Sequence, residues 1–451
     1  MKKIKHIKIN SIVYMVALAG AISLAVTRCG VSETKLTYPQ VATGQVLLYD
    51  ADGAVVENIN PGDSLYGQDA HYLTGAKMSY KNNGDGTISD LNTGLMWQMI
   101  PVDQGFDWQG ASDYCENLEL AGYDDWRLPS AKELYSISDF STGWPYINTE
   151  YFKLINNERI GKDEQYWTSH VYVGTIGAKG SSTAFGVNHG TGHIKAYGAG
   201  NRSGEGEAER PQRDSIQGSQ GERPQRDNAQ GTNTERPQRQ QQGSQGERPQ
   251  RDSIQGNNAE RPQVKGNRSQ KYVRAVRGNA YGINNFKDNG DGTISDNATG
   301  LMWSQADSKK GMDWVVALKY AEESELAGYS DWRLPNVKEL QGILNYNFAP
   351  GATDPTKEGA AIDPMFDCSE IVNENGDKDY PYFWTSTSAL FQKGRPYYYA
   401  WYVAFGRAVS PTGIDSHGAG AVRFDTKYEG GPSGEDGARF YNYVRLVRNI
   451  K

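Results

Sequence analysis

Two stretches of the chain are near copies of each other at a spacing of 206 residues. Residues 84–97 read GDGTISDLNTGLMW and residues 290–303 read GDGTISDNATGLMW, and ELAGY-x-DWRLP also occurs in both halves. Repeats that stack into solenoids are about 20 to 50 residues long, so this period is too long for one solenoid unit. The pattern indicates a tandem duplication of a whole domain, and we expect each copy to bury its own core.

Both copies end in the same kind of segment. Residues 272–278 read YVRAVRG and residues 443–449 read YVRLVRN, an alternation that predicts a strand with its arginines on one face and its apolar side chains on the other. Both copies are therefore complete, although the first is much longer after its Trp-Thr-Ser motif. We assign residues 76–278 to the first domain, 279–451 to the second, and 30–75 to a lead-in segment.

The extra length of the first domain is an insertion over residues 201–270. Glu-Arg-Pro-Gln occurs in it five times, beginning at Glu209, Glu222, Glu235, Glu247 and Glu260. With almost no apolar side chains, the insertion cannot offset the entropy of ordering, and we predict that it is disordered. Two interpretations stay open: slippage of a short repeat in a surface loop, or recruitment as an adhesive or spacer segment.

The N-terminus resembles an export signal. Four lysines among the first eight residues precede an apolar run over residues 11–27, the order of charged and hydrophobic regions in a signal peptide. We therefore expect an extracytoplasmic protein whose residues 1–29 are a signal. Three routes stay open: lipidation at Cys29, cleavage after one of several small residues, and an uncleaved anchor. Arg28 disfavours lipidation, and no later stretch is apolar enough to span a bilayer.

The charge balance disfavours nucleic acid as a partner. The formal net charge is -7, and removing the five basic residues of the first 29, which contain no acid, leaves -12. Nucleic-acid binding requires a concentrated basic surface. We expect membrane contact only through an N-terminal lipid anchor.

Each copy is predicted to hold two helices and a mainly antiparallel sheet. Residues 286–303 predict three short strands joined by turns that contain glycine. A helix is predicted from the N-cap Asp313 to a stop at Gly328. Its apolar face is formed by Trp314, Ala317, Leu318 and Ala321. A second helix begins at Asn336, or at Ser130 in the first copy, each with a glutamate three residues later in a capping box. The predicted fold class is α+β.

These motifs resemble the Lcl C-terminal domain family, formerly DUF1566, named after the Legionella collagen-like adhesin. The resemblance rests on GDGTISD-x-x-TGLMW, ELAGY-x-DWRLP, the Trp-Thr-Ser segment and the closing YVR-x-VR, all of which both copies carry. It implies a C-type lectin-like fold for each of the two tandem domains. For the adhesin it implies binding of host or matrix glycans and adhesion between cells.

The cysteines depart from the family pattern. Members often carry a cysteine in the closing strand, where this chain has Ala275 and Leu446, so the resemblance implies that Cys115 has lost its partner. Cys368 lies in the other copy at a position that is not equivalent to Cys115. We do not expect a disulfide between the two.

Motifs for metal binding or catalysis are weak. Asn83-Gly-Asp-Gly resembles part of a calcium loop, but Lys81 stands at the first ligand position, so a turn is the better interpretation. His189 and His193 have a zinc-compatible spacing on a helix, but intervening glycines predict a loop. The formylglycine-generating oxidases, which share a related fold, need a reactive cysteine pair that this chain lacks. We expect no cofactor, no metal and no enzymatic activity, and a structural role for Trp126-Arg127.

Binding is more plausible where the copies differ, in the loops before the last strand of the second copy. That region combines tyrosine and arginine with Gly and Ser, a composition typical of contact loops. The candidate ligand-binding residues are Arg395, Tyr397, Tyr398, Tyr399, Trp401, Arg407, His417 and Arg423. The alternative is that alternate tyrosines form sheet core.

The predicted function is that of an exported, non-catalytic binding module of the cell envelope. The predicted partners are extracellular glycans or matrix and cell-surface proteins, bound in adhesion. Two alternatives stay open: a structural envelope protein without a specific ligand, and an enzyme related to the formylglycine-generating fold.

Overall fold

The computed structural model describes residues 36–155, 164–176, 181–200, 270–392, 394–431 and 438–450. The predicted export signal 1–29, with its candidate lipidation residue Cys29, lies outside the described residues, and so does all of the predicted insertion 201–270 except its last residue. None of the helices in the described ranges has the length and apolarity that a bilayer crossing requires.

The chain begins with three short elements and then forms the same series of elements twice. The lead-in segment holds β1 Leu48–Tyr49, β2 Val55–Val56 and α1 Asp69–Tyr72. The first copy holds β3 Tyr80–Asn82, β4 Thr87–Asp90, β5 Met96–Gln98, α2 Trp108–Glu116, α3 Ala131–Ser136, β6 Gln165–Ile176, β7 Ser181–Asn188, β8 Ile194–Gly198 and β9 Val276–Arg277.

The second copy repeats this order and adds a hairpin. It holds β10 Phe286–Asp288, β11 Thr293–Asp296, β12 Leu301–Ser304, α4 Trp314–Glu322, α5 Val337–Gly342, β13 Ile371–Val372, β14 Lys378–Asp379, β15 Tyr382–Ala389, β16 Tyr399–Ala404, β17 Val422–Thr426 and β18 Val447–Asn449. Short 3-10 turns lie at Leu326–Gly328 and Pro355–Lys357. The α+β class is confirmed, with two helices in each copy and antiparallel sheets.

The predicted three-stranded meander is confirmed in both copies. Its sheets have the orders β3-β4-β5-β9 and β10-β11-β12-β18, so the closing strand pairs with the third strand of the meander. In the first turn the amide of Asn83 donates to the hydroxyls of Thr87 and Ser89, and Asp85 accepts from Thr87. The Asn-Gly-Asp-Gly motif is therefore a turn that its own side chains close.

The predicted helix caps are confirmed. Ser130 and Asn336 each form a capping box with the glutamate three residues on, and the predicted apolar face of α4 is buried. Helix α4 ends at Glu322, six residues before the predicted stop at Gly328. The chain turns there into a 3-10 segment in which Ala327 has a φ of 53°, a left-handed conformation that no α-helix contains.

The two copies join through one six-stranded antiparallel sheet, with the order β15-β16-β17-β8-β7-β6. Its central strands β8 and β17 come from different copies and meet at the pair Ile194–Val422. These residues are equivalent, because Ile194 pairs with Val187 in its own copy as Val422 pairs with Val403. Equivalent residues that face each other define a pseudo-twofold axis, the geometry of an isologous dimer within one chain.

The largest apolar cluster extends across this axis. Phe140 of the first copy packs edge-on against Trp401 of the second, and Tyr346 of the second packs in the same way against Phe185 of the first. Smaller clusters lie under α2 and α4, each within one copy. The expectation that each copy buries its own core is therefore wrong for most of the core, because the largest cluster takes its side chains from both copies.

Each copy holds the segment that precedes the other copy's meander. Thr74, which leads into β3, donates to Glu339 in α5 of the second copy. In the equivalent segment before β10, the Tyr281 N–H donates to Glu133 in α3 of the first copy. The two helices meet at the axis, where the Lys338 ammonium donates to the carbonyl of Ser136. The copies are therefore interlocked as well as adjacent.

The closing strands differ from their prediction. Arg274 and Arg445 are fully buried and each donates to three backbone carbonyls of its own copy. Arg277 instead pairs with Asp125 and lies over a tyrosine near the surface. The two arginines of one strand are three residues apart and face opposite sides, so the prediction that they share a face is wrong. Cys115 and Cys368 are free thiols.

We predict that residues 279–451 alone are far less stable than the full chain. Separation exposes Trp401 and the edge of β17, which the first copy covers. In urea, the full chain should unfold in one transition by tryptophan fluorescence and circular dichroism, because the core is shared. The fragment should unfold at lower urea and bind a hydrophobic dye. A fragment midpoint equal to that of the full chain would contradict the shared core.

Candidate functional site

Three of the eight candidate ligand-binding residues are core residues. Tyr399, Trp401 and Arg423 lie in the central sheet with no more than 4% of their surface exposed. Strands β16 and β17 are covered on both faces, so every residue of either strand is buried. These three side chains are therefore out of reach of a macromolecule at the surface, as the alternative of alternate tyrosines in the sheet core predicts.

Two further candidates, Tyr397 and Arg407, make contacts within the fold. Tyr397 stacks on Tyr49 of the lead-in segment at 4.1 Å between ring centroids, and its hydroxyl donates to the Thr142 carbonyl. The Arg407 guanidinium donates to the buried carboxylate of Asp379 at 3.1 Å. Both side chains join separate parts of the fold.

The remaining candidates do not form a cluster. Arg395 is exposed and Tyr398, three residues later, is half-buried, whereas the carbonyl of His417 accepts from the N–H of Ala196 at the junction of the copies. Of the eight candidates, Arg395 alone is exposed, and the side chains of Tyr397, Tyr398, Arg407 and His417 are half-buried. The eight residues do not make up one recognition surface.

A cavity of about 330 Å³ lies where the two copies interlock, and we call it the open cavity. Its lining comes from α3 and the loop before it, from His170 and Asp363, and from the segments 280–286 and 343–347. Pseudo-twofold symmetry requires an equivalent cavity on the other side of the axis. That position, which we call the filled cavity, holds residues 41–46 of the lead-in segment together with Asp69.

The contacts in the filled cavity are polar and specific. The Phe140 N–H donates to the Thr43 carbonyl at 2.8 Å. The Asp69 carboxylate accepts from the hydroxyls of Thr43 and Thr387, both at 2.7 Å. The side-chain amide of Gln45 bonds to both the N–H and the carbonyl of Ser388. The lead-in segment occupies this cavity only in part, because a cleft of about 620 Å³ remains between it and the residues Thr74, Tyr80 and Asp139.

In the open cavity, none of the described residues covers the equivalent groups. His170 and Thr387 both follow Trp-Thr-Ser, and each accepts the first N–H of a helix, from Ala131 and Val337. Thr387 then donates to Asp69, whereas the Nε2 of His170 has no partner among the described residues. The Tyr346 N–H, the equivalent of the Phe140 N–H, likewise makes no hydrogen bond within the described ranges.

The arginines of the two cavities differ in exposure. Arg127 and Arg333 each form a two-pronged ion pair with a glutamate in the following helix, Glu133 and Glu339. The Arg333 side chain is 5% exposed, with Tyr72 of the lead-in segment over it, whereas the Arg127 side chain is 36% exposed. The guanidinium of Arg127 therefore borders the open cavity.

Burial controls the charge of this site. The His170 ring stacks on Tyr346, and burial lowers its pKa to about 4, so the imidazole is neutral at physiological pH. Because its Nδ1 accepts a backbone N–H, the proton of the neutral ring lies on Nε2. Burial also lowers the pKa of Lys132 to about 8, and its ammonium donates to Gly282 and Asn284.

Within the described residues, no group of three or more His, Cys, Asp or Glu side chains could hold a metal ion. His189 and His193 are both buried, and the ring of His193 stacks on Phe424. The paired Trp126 and Arg127 act structurally, since the indole is buried and the guanidinium pairs with Glu133. Burial raises the pKa of the Cys115 thiol to about 12, which disfavours the reactive thiolate.

Sequence reasoning missed His170, Tyr346 and the exposed face of Arg127. One signal was present: after the shared Trp-Thr-Ser, the first copy has His170 where the second has Thr387. A difference at an otherwise repeated position marks a place where the copies have different surroundings. The N–H of Tyr346 carries no signal in the sequence, because any residue there has the same backbone group.

The sequence model of the Lcl C-terminal domain family matches residues 86–205 and 292–448, and so covers more than half of the chain in two segments. No curated protein and no solved structure matches the chain.

The two equivalent ion pairs allow a matched stability test. Glu339→Gln should cost about 3–5 kcal/mol of unfolding free energy, because it leaves the buried Arg333 without its counter-charge. Glu133→Gln should cost about 1 kcal/mol, since water reaches Arg127. Glutamine can still accept from the N-cap N–H in both variants. Urea denaturation measures both values, and equal losses would contradict the assigned difference in burial.

Asp69 should make stability depend on pH. Burial raises its pKa to about 6, above an unfolded value of about 3.9, so the folded state holds this proton more tightly. Its contribution to stability is present below about pH 4 and is lost as the pH rises to about 6.

Asp69→Asn removes the carboxyl group that titrates. The stability of the variant relative to the wild type should therefore increase by up to about 1.4 kcal/mol per pH unit across this window. Urea unfolding at several pH values, with the exposed Asp103→Asn as the control, measures the slope. Parallel curves for Asp69→Asn and the wild type would count against this assignment.

Proposed function

The chain belongs to the Lcl C-terminal domain family, in two tandem copies, and on that premise we propose that it is an exported, non-catalytic binding module of the cell envelope. It acts in adhesion, through recognition of extracellular glycans or of matrix and cell-surface proteins. Each copy is a variant of the C-type lectin-like fold. The sheet that joins the meander to the closing strand, with two helices beside it, supports this part of the proposal.

The open cavity is the observation that carries the proposal. It is lined by both copies and presents donor groups, but its charged side chains are committed to structural contacts. Arg127 pairs with Glu133, Lys132 donates to a carbonyl and an amide oxygen, and Asp363 accepts from the N–H of Met365. Catalysis needs a base or nucleophile free to react with a substrate. Groups committed to structural pairs, beside uncovered donors, suit binding better than reaction.

The place of the protein in the envelope rests on its N-terminal sequence. The basic residues and apolar run of residues 1–29 are typical of an export signal, with Cys29 as the candidate for lipidation. An exported, lipid-anchored module holds its two copies outside the membrane. Pairing of the copies into one rigid sheet supports a second candidate, a structural envelope protein without a specific ligand.

We expect the purified full chain to bind at least one member of a panel of glycans and matrix proteins. The full chain is needed because the copies share a core. An unrelated acidic protein of similar charge is the control, since the net charge of -7 can by itself attract basic ligands. Binding no stronger than the control across the panel would favour the structural role.

A further inference from the structure

We propose that the open cavity binds an extended, acidic peptide segment of a partner protein. This peptide takes the position that residues 41–46 and Asp69 take in the filled cavity. The inference rests on the proposed binding function and names the chemistry of the partner. It follows from the groups that symmetry leaves uncovered and from the segment that covers their equivalents.

Three donors face the open cavity, beside the carboxylate of Asp363, which accepts from the N–H of Met365. The donors are the N–H of Tyr346, the Nε2–H of His170 and the outer face of the Arg127 guanidinium. Donors that face an open cavity are available to a ligand that supplies acceptors, and hydrogen bonds to a charged group are stronger than those between neutral groups. A peptide carbonyl and a carboxylate are the acceptors that match an N–H, an imidazole N–H and a guanidinium.

The filled cavity shows how a peptide meets these groups. There a carbonyl, that of Thr43, accepts from the backbone N–H equivalent to that of Tyr346. A carboxylate, that of Asp69, accepts from Thr387, the equivalent of His170. The Thr43 hydroxyl lies 2.7 Å from this carboxylate. A glutamate at the position of Thr43 therefore reaches the same place, and one residue can supply both acceptors.

Backbone geometry favours a peptide over other acceptor-rich ligands. Gly44 follows Thr43 with a φ of +88°, and a Cβ there would lie 3.0 Å from Asp139. The backbone at this position therefore lies so close to the cavity wall that it has little room for a side chain. Asn345 takes the place of Asp139 beside the open cavity. A Glu-Gly pair in an extended peptide fits this arrangement.

Chain connectivity explains why only one cavity is filled. The lead-in segment precedes the first copy and reaches across the axis into the second. Among the described residues, the stretch between β9 and the second copy is 278–285, and it is committed to α3 through Tyr281 and Gly282. Within the described part of the chain, the two equivalent cavities therefore have one lead-in segment between them.

The test uses the full chain and a blocked hexapeptide, acetyl-Val-Ala-Glu-Gly-Gln-Val-amide. This probe is the lead-in sequence 41–46 with glutamate in place of Thr43. Binding is measured by calorimetry at peptide concentrations up to about 1 mM, a range suited to small ligands. The same peptide with glutamine for glutamate should bind roughly tenfold more weakly, because it loses the charge-assisted hydrogen bond.

Variants assign the site. His170→Val should weaken binding of the glutamate peptide roughly tenfold, since it removes the donor to the carboxylate. His170→Thr, which copies the residue of the filled cavity, should restore most of it. Thr387→Val changes the filled cavity alone and should leave peptide binding unchanged. If His170→Val does not fold, Asn347→Trp at the exposed rim should block the cavity instead.

The outcomes separate this inference from the proposed function. Ligand binding on the panel without peptide binding overturns only the peptide site. Peptide binding that His170→Val abolishes supports the inference even where the panel is negative, in which case adhesion fails alone. An acidic oligosaccharide that binds in a His170-dependent manner, while the peptide does not, makes the cavity a carbohydrate site and overturns the proposal.

Discussion

The antiparallel pairing of β8 with β17 is the interaction on which the rest of the structure depends. Each strand is the edge of its own three-stranded unit, and their union satisfies backbone groups that either copy alone would leave open. It also generates the pseudo-twofold axis, which places α3 beside α5. The same axis places Phe140 and Tyr346 in the core of the other copy. A duplicated chain has thereby become an internal dimer with one shared interior.

Symmetry and chain order conflict at the two interlocked cavities. The axis demands equal surroundings on both sides, but a linear chain has one N-terminal segment, and it lies in only one of the two places. The consequence appears in Arg333 and Arg127, which make the same ion pair with 5% and 36% of their side chains exposed. The difference between the copies therefore comes from what precedes them more than from their own motifs.

Local features of the fold could be predicted from the sequence, because they depend on neighbours along the chain. The capping boxes at Ser130 and Asn336 and the meander turns are of this kind. The shared core could not, since the alternation in β16 is equally compatible with one covered face or two. Tyr399 and Trp401 were assigned to a binding loop for that reason. In the candidate site, only the difference between His170 and its equivalent Thr387 is visible in the sequence. The meaning of that difference depends on the lead-in segment, in which Gln45 bonds to Ser388, 343 residues later in the chain.

The buried Arg274 determines when the first copy can complete its fold. Its guanidinium binds carbonyls of Gln98, Met99 and Lys153, so the end of the meander and the loop after α3 are held by a residue from the last strand of the domain. On the ribosome, those carbonyls are made long before their donor, and the whole Glu-Arg-Pro-Gln stretch is synthesised in between. The first copy therefore stays incomplete through that interval, and its exposed β8 reaches its partner only after the second copy has been translated.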